Sequence, residues 1–167
     1  MRVAIVGTGL IGASVGLAAA RNDATVVGYD QDPANAELAR QRGAVHEVAG
    51  SVGDALDGAD LAVVAVPVGQ LAGQVRAVLE ASRDGTTVTD VGSTKTAVCA
   101  AAGGSPRFIG GHPVCGSEAR GPEHASAELF EGATWFLSPL PQTDPTRHRL
   151  VHGFVAGLGA TKPWTSL

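Results

Sequence analysis

Residues 3–14 read VAIVGTGLIGAS, and they are the most informative segment of the 167-residue chain about its architecture. Its first four residues are apolar without polar alternation, which predicts a strand buried on both faces. Gly7, Gly9 and Gly12 follow in the spacing G-x-G-x-x-G. In that spacing the first glycine permits a tight turn, the second lets the backbone approach a pyrophosphate, and the third lets a helix pack closely on the strand. The stretch therefore predicts a strand, a phosphate-binding turn and a helix in succession.

The next strand ends at an acidic residue that suits this motif. Residues 25–29 are apolar, and Asp30 follows them. A carboxylate at this distance from the glycines accepts hydrogen bonds from an adenosine ribose and repels a 2′-phosphate, which favours NAD over NADP. Asp30 also fits a turn-forming or helix-capping role, and the glycines also fit plain tight packing. These alternatives stay open at this point.

Strands and helices alternate along the rest of the chain. Such alternation implies right-handed crossovers and a sheet covered by helices. We therefore predict one α/β domain over residues 1–167, a Rossmann-type, doubly wound, mostly parallel sheet with helices on both faces. The predicted helices are 10–21, 34–42, 52–56, 71–82, 94–101, 122–129 and 145–158, and the predicted strands are 3–6, 25–29, 46–48, 61–66, 86–90, 107–109, 134–137 and 162–164.

Composition and charge exclude several classes of function. The net charge is −4 without a basic cluster, which gives no electrostatic reason to bind nucleic acid or an anionic membrane. Cys99 and Cys115 are too few for a disulfide scaffold and lack metal-ligand spacing, which indicates a reducing compartment. Glycines interrupt the uncharged stretch between Arg2 and Arg21, which weakens it as a signal peptide or membrane span. We expect a cytoplasmic protein without a metal site.

Three segments follow predicted strands and so face the same crevice of an open sheet. VVAVP ends at Pro67, which places Val66 and Pro67 near the adenosine side of a bound dinucleotide, although a strand simply stopped by proline explains them equally well. TDVGSTK, residues 89–95, offers the Ser93 hydroxyl and the Lys95 charge. GGHPVCGSEARG, residues 110–121, contains His112 among glycines and a proline, and we predict a shaped loop there. Ser93 and His112 should converge where a nicotinamide would lie.

Four motifs in this order resemble the prephenate/arogenate dehydrogenase family of tyrosine biosynthesis. They are G-x-G-L-I-G-x-S, D-V-G-S-T-K, G-G-H-P-V-C-G-S-E-A-R-G and, further on, L-F-E-G-A-T-W. The resemblance extends over the whole chain, which corresponds to the nucleotide-binding domain of that family. It implies NAD as cofactor, prephenate or arogenate as substrate, and an oxidative decarboxylation. Hydride leaves the ring carbon that bears the hydroxyl, and the ring carboxylate departs as CO2.

The resemblance also implies roles for individual residues. His112 would accept the hydroxyl proton, and Ser93 would hydrogen-bond His112 or that hydroxyl. Without the resemblance, His112 could equally satisfy a turn carbonyl, and Lys95 fits either a substrate carboxylate or the start of a helix. Cys115 stands where the family most often has alanine, as a packing residue or as a thiol near the site. The expected cofactor-binding residues are Gly7, Gly9, Leu10, Ile11, Gly12, Asp30, Val66, Pro67 and Ser93, and the expected substrate contacts are Lys95, Gly116 and Ser117.

The family has a second, all-helical domain that dimerises and contacts the substrate, and these 167 residues lack it. The chain is therefore either truncated or naturally short. In both cases we expect it to bind NAD, to bind prephenate poorly, and to form a homodimer only through the missing domain. Two alternatives stay open: a 3-hydroxyacid or 6-phosphogluconate type of dehydrogenase, and a non-catalytic NAD-sensing Rossmann module. A sensing module has no use for a paired Ser93 and His112.

Overall fold

The computed structural model describes residues 1–115 and 118–165. In this part of the chain, eight strands form one sheet and six α-helices pack around it. The strands are β1 Arg2–Val6, β2 Thr25–Tyr29, β3 Glu47–Val48, β4 Leu61–Val64, β5 Thr87–Asp90, β6 Phe108–Val114, β7 Thr134–Pro139 and β8 Lys162–Thr165. The helices are α1 Leu10–Arg21, α2 Pro33–Gln41, α3 Val52–Leu56, α4 Val68–Ala81, α5 Thr96–Ala101 and α6 Pro145–Gly157.

The sheet has the strand order β3-β2-β1-β4-β5-β6-β7-β8. Strands β1 to β6 run parallel, whereas β7 pairs antiparallel with β6, and β8 runs parallel to β7. The order reverses between β1 and β4, which makes the crevice at their carboxyl ends the expected ligand site. The predicted mostly parallel, doubly wound sheet is confirmed.

Helices cover both faces of the sheet, as predicted. Along β1, Val3 and Ile5 belong to the buried cluster that also contains side chains of α1 and α6, whereas Ala4 and Val6 belong to the cluster that contains side chains of α3 and α4. All four side chains are at most 1% exposed. An apolar run without polar alternation is therefore what a strand between two helical layers requires.

Helix α1 lies unusually close to the segment that leads into β3. A Cβ added at Gly16 would lie 2.1 Å from the backbone oxygen of Ala44, so neither partner could move aside without shifting main chain. At Gly73, on the exposed side of α4, an added Cβ meets nothing within 4 Å.

We expect Gly16→Ala to lower the free energy of unfolding by about 1–3 kcal/mol, the usual cost of overpacking. Gly73→Ala is the matched control and should raise it by up to about 1 kcal/mol, because alanine has the higher helix propensity. Urea denaturation followed by circular dichroism measures both. Equal effects of the two substitutions would contradict the close approach at Gly16.

Polar contacts connect the amino ends of neighbouring strands, at the end of the sheet opposite the crevice. The backbone N–H of Arg2 donates to Asp60 Oδ2 at 2.8 Å, just before β4. Thr86 Oγ1 donates at 2.7 Å to the carbonyl of the residue before Asp60. The Arg107 guanidinium donates to the Leu79 carbonyl at 2.6 Å, near the end of α4. These contacts join neighbouring strands and α4 at the amino ends of the strands, away from the glycine-rich turn.

The prediction of a loop from residue 110 was wrong, because β6 continues to Val114. The strand pairs antiparallel with β7 over this whole stretch. The N–H of Gly111 points to the β5 side, and so does the nitrogen of Pro113, since alternate residues of a strand share that direction. Strand β5 has ended at that level, so the missing N–H of Pro113 removes no ladder bond.

The predicted helix over 122–129 was also wrong. Only a short 3-10 turn, Pro122–His124, forms, and Ala125 is already extended. The Arg42 side chain donates hydrogen bonds to the carbonyls of Pro122, Glu123 and Ala125, and the Ser126 N–H donates to Ser14 Oγ at 3.1 Å. Backbone groups that a helix would pair internally are thus paired with α1 and the end of α2 instead.

Most other boundaries differ from the predictions by only a few residues. The largest of these differences is at α4, which begins at Val68 rather than residue 71, and β4 ends at Val64 rather than residue 66. None of the helices in residues 1–115 and 118–165 has the length and apolar character needed to cross a bilayer.

Candidate nucleotide-binding and catalytic site

A cleft of about 1200 Å³ opens at the carboxyl ends of β1 and β4, where the strand order reverses. It is larger than most small-ligand pockets, which suits an extended ligand such as a dinucleotide. Seven of the nine predicted cofactor-binding residues line it, and Gly12 and Ser93 do not. Its lining includes Gly7, Gly9, Leu10, Ile11, Asp30, Val66, Pro67 and Gly92.

The three glycines of the first turn differ in what surrounds them. Gly7 has φ +100°, which L residues rarely adopt, and Gly12 packs so that an added Cβ would lie 1.8 Å from the Gly7 oxygen. Gly7 and Gly12 are thus required by the fold itself. Gly9 has nothing within 4 Å of an added Cβ, and it lines the cleft. No packing in the described residues therefore explains Gly9, which agrees with its predicted contact to a pyrophosphate.

The N-terminus of α1 points its free backbone groups at this cleft. Gly9 is the N-cap and provides no side-chain cap, and the first turn contains no acidic residue. The first N–H groups of a helix have no partner within the helix, and its dipole favours an anion there. Leu10 and Ile11 line the cleft at this position, so the local geometry suits phosphate.

Asp30 takes part in the fold and faces the cleft at the same time. Its Oδ2 accepts from the Thr8 N–H at 2.8 Å and from the Thr8 hydroxyl at 3.1 Å, and its Oδ1 accepts from the Asp32 N–H at 2.8 Å. The predicted turn-forming role is therefore present. A carboxylate has about four acceptor positions, so Asp30 retains capacity for a ribose diol.

The cleft lining also contains a cationic residue, Arg120, to which the sequence analysis assigns no role. Val66 is half-buried and Pro67 is exposed, and both line the cleft, whereas their place on the adenosine side of a dinucleotide stays a prediction. Arg120 lies there too, next to Gly121. Among the described lining residues it is the one cation, whereas Asp30 and Asp32 are the anions. Nothing in the sequence around Arg120 and Gly121 indicates that the Arg120 side chain lines this cleft.

His112 lies on β6 opposite Phe136 of β7, and its ring is half-buried. The ring centroids of these two residues are 6.1 Å apart. Burial lowers the pKa of the His112 imidazole, the nearby Lys95 ammonium lowers it further, and the Asp90 carboxylate opposes both effects. His112 is therefore mostly neutral near pH 7, the state that a proton acceptor needs.

The structure shows no direct hydrogen bond between the side chains of Ser93 and His112, which both lie in the described part of the chain. Ser93 is exposed, and within residues 1–115 and 118–165 no hydrogen bond connects the two side chains. Neither residue lines the cleft itself, although Gly92, directly before Ser93, does. Their predicted pairing beside a cofactor stays a prediction.

Lys95 is engaged by a neighbour rather than free to meet a substrate. Its ammonium pairs with Asp90, which is completely buried at the end of β5, and the Lys95 side chain is 20% exposed. Sequence reasoning missed Asp90, although its place between a strand and Gly92 in TDVGSTK was a usable signal. Gly116 and Ser117 lie outside the described residues.

Cys115 packs against the apolar core, which supports its interpretation as a packing residue. Burial raises the pKa of the Cys115 thiol and keeps it protonated near neutral pH. A protonated thiol reacts slowly with alkylating reagents. The structure therefore gives no support to a reactive cysteine at this site.

Comparison with known proteins places these features in a family. The sequence model described as "Prephenate dehydrogenase, nucleotide-binding domain" matches residues 15–162. The chain belongs to the prephenate dehydrogenase family. Its sequence is 32% identical over 145 residues to the prephenate dehydrogenase of Lactococcus lactis, which covers 82% of this chain and 40% of the relative. The family assignment confirms the resemblance seen in the four motifs.

Solved structures of the prephenate dehydrogenase family superpose closely on this fold. Synechocystis arogenate dehydrogenase has a TM-score of 0.93 at 29% identity, covering 99% of this chain and 59% of that chain. The A. aeolicus prephenate dehydrogenase complex with hydroxyphenyl propionate and NAD+ has a TM-score of 0.91 at 29% identity, covering 99% and 60%. The chain spans less than half the length of the curated relatives that it matches.

Proposed function

We propose that this chain is the cofactor-binding half of an NAD-dependent dehydrogenase that oxidatively decarboxylates prephenate or arogenate. The observation that carries this proposal is the cleft at the β1–β4 switch point, with an open Gly9, an uncapped α1 and Asp30 along one wall. The family and its NAD+-bound A. aeolicus member support NAD as the ligand of this cleft.

The residues present fit the pyrophosphate and the adenosine half of the cofactor. The N–H groups at the start of α1 would hold the pyrophosphate, and Asp30 would accept hydrogen bonds from the adenosine ribose. Val66 and Pro67 would cover the adenosine side. When bound, NAD supplies the hydride acceptor for the reaction.

The chain's own contribution to the chemistry is proton transfer at His112. As the substrate hydroxyl becomes a carbonyl, its proton must leave, and the neutral imidazole accepts it. The exposed Ser93 hydroxyl would bind the same hydroxyl or the imidazole and fix their geometry. Loss of the ring carboxylate as CO2 and aromatisation of the ring make the overall step favourable.

Substrate binding, dimerisation and the cellular role of the enzyme are further parts of this proposal. A C-terminal helical domain like that of the family would supply substrate contacts and the dimer interface, and Lys95, Gly116 and Ser117 are the proposed substrate contacts of this chain. The enzyme would act in tyrosine biosynthesis in the cytoplasm, without nucleic acid or membrane partners. The Lys95 ammonium already pairs with Asp90, so a direct bond to substrate would require Lys95 to share or leave that partner.

Isothermal titration of the 167-residue chain tests the cofactor assignment. NAD should bind, and NADP should bind at least about tenfold more weakly, because about 1.4 kcal/mol of repulsion between Asp30 and the 2′-phosphate suffices. Prephenate should bind poorly to the chain alone. Equal affinity for NAD and NADP would contradict the role of Asp30, and tight prephenate binding would contradict the need for a second domain.

A non-catalytic NAD-sensing module would also bind NAD in this titration. The two functions differ in turnover, measured as NADH formation with prephenate or arogenate in a protein that carries the relatives' C-terminal part after residue 167. A sensing module would form no NADH with either substrate. A 3-hydroxyacid type of dehydrogenase would instead oxidise a 3-hydroxyacid.

A further inference from the structure

The carboxylate of Asp90 is the most deeply buried charge near the proposed active site, and the proton transfer described above does not use it. The residue ends β5 and is 0% exposed. Burial raises the pKa of this carboxyl, and the Lys95 ammonium and two backbone N–H groups act against that shift. A buried carboxylate is costly unless its oxygens are bonded, so its contacts need a reason.

Asp90 contacts both segments that carry the proposed catalytic side chains. Its Oδ2 accepts from the Gly92 N–H at 2.9 Å and from the Lys95 ammonium. Its Oδ1 accepts from the Gly111 N–H at 3.1 Å. Gly92 directly precedes Ser93, and Gly111 directly precedes His112.

This side chain continues a connection that the backbone does not make. Pairing between β5 and β6 ends at Thr89 and Ile109. Beyond that level, the bond from Gly111 to the Asp90 carboxylate joins the two strands. Bonds of backbone N–H groups to a carboxylate are stronger than those between neutral groups, so one side chain can replace the next ladder step.

We propose that Asp90 is a positioning residue that fixes the spacing between the Ser93 segment and the His112 strand. This inference rests on the proposed function, since it assigns Asp90 to the same reaction. Asp90 touches neither substrate nor cofactor in this role. It acts through the backbone of the residues that precede Ser93 and His112.

The packing around Gly111 makes this spacing tight. A Cβ added at Gly111 would lie 2.4 Å from the backbone oxygen of Asp90 and 3.0 Å from Trp135 Nε1. The end of β5 and the Trp135 indole therefore both crowd the space that a side chain at Gly111 would need. Because β6 is held this closely at Gly111, a small shift of Asp90 moves Gly111 and with it His112, the residue that follows Gly111.

Asp90→Asn tests the proposal, because an amide has one acceptor oxygen and would turn an NH2 group towards an N–H or ammonium donor. Asp60→Asn is the matched control. Asp60 also accepts a backbone N–H and pairs with a cation, Arg83, but it lies at the amino ends of the strands. Backbone amide NMR signals of Ser93 and His112 are compared in the 167-residue chain, and kcat is compared in the protein extended by the relatives' C-terminal part.

We expect Asp90→Asn to shift the amide signals of both Ser93 and His112 and to lower kcat roughly tenfold, with less change in NAD affinity. Asp60→Asn should leave these two signals and kcat unchanged. Unmoved His112 and Ser93 signals in Asp90→Asn would overturn the proposal, as would a kcat equal to that of Asp60→Asn. Absence of turnover in the unsubstituted protein would contradict the proposed function alone, because the amide signals report positioning without substrate.

A measurement on the unsubstituted chain decides the matter if Asp90→Asn does not fold. The amide hydrogen of Gly111 should exchange slowly with deuterated water, since it is bonded to the Asp90 carboxylate. Exchange as fast as in an unstructured peptide would overturn the proposal.

Discussion

Turnover should fall by about 10²–10⁴-fold when asparagine replaces His112, the range that loss of a general base produces. Asparagine fills similar space and still forms hydrogen bonds, but it does not accept a proton near neutral pH. NAD affinity should be unchanged, because His112 lies outside the cleft that holds the glycine-rich turn. Steady-state kinetics in the protein with the relatives' C-terminal part, together with titration of NAD, measure the two effects.

The pH profile sharpens this prediction. Burial and Lys95 lower the pKa of His112, so the imidazole should lose its proton below the ordinary histidine value of about 6.5. The acidic limb of kcat/KM should then fall at a pH below that value and disappear in His112→Asn. Unchanged turnover in His112→Asn, or an acidic limb well above pH 6.5, would contradict His112 as the proton acceptor.

Alanine at Gly9 should weaken NAD binding by about 10- to 100-fold and leave the free protein as stable as before. A new methyl meets nothing within 4 Å in the chain, so the fold has no reason to resist it. In the proposed complex the same methyl would enter the space of the pyrophosphate, and such an overlap costs roughly 1–3 kcal/mol. Isothermal titration and thermal unfolding of the free chain separate the two quantities.

Gly12→Ala is the control for this experiment. Its methyl would lie 1.8 Å from the Gly7 oxygen, so it should lower the stability of the free chain. Full NAD affinity in Gly9→Ala would show that the second glycine does not face a pyrophosphate, and a loss of stability as large as that of Gly12→Ala would contradict the open surroundings of Gly9.

The first third of the chain could be predicted from sequence because its structure depends on local sterics. Gly7 needs a positive φ, Gly12 needs the absence of a side chain, and helix α1 follows with the bounds expected from the pattern. The capping role of Asp32 at the start of α2 is equally local, because an aspartate directly before Pro33 is a typical helix start, and the structure shows its side chain accepting from the Ala34 N–H. Periodicity and glycine spacing carry such information directly.

The candidate catalytic region depends on partners distant in sequence, and there the sequence predicted less. Nothing in GGHPV indicates that β7 will pair with it, yet that pairing turns a glycine-rich stretch into a strand and places His112 beside Phe136. Asp90 bonds to Gly111, 21 residues later. Arg42 likewise donates hydrogen bonds to carbonyls about 80 residues later, in the segment 122–129 where a helix was predicted and does not form. Tertiary contacts of this kind override local preference and leave no periodic trace.

The polar contacts at the amino ends of the strands have a practical consequence. Arg2, Asp60, Thr86 and Arg107 join neighbouring elements at the edge away from the cleft, whereas the glycine-rich turn, Asp30, Asp90 and His112 occupy the opposite edge. A mutant library confined to the amino edge would therefore select for heat tolerance without sampling the chemistry. A library at the other end of the strands would vary the chemistry, and it should leave out Gly7 and Gly12, which the fold itself requires.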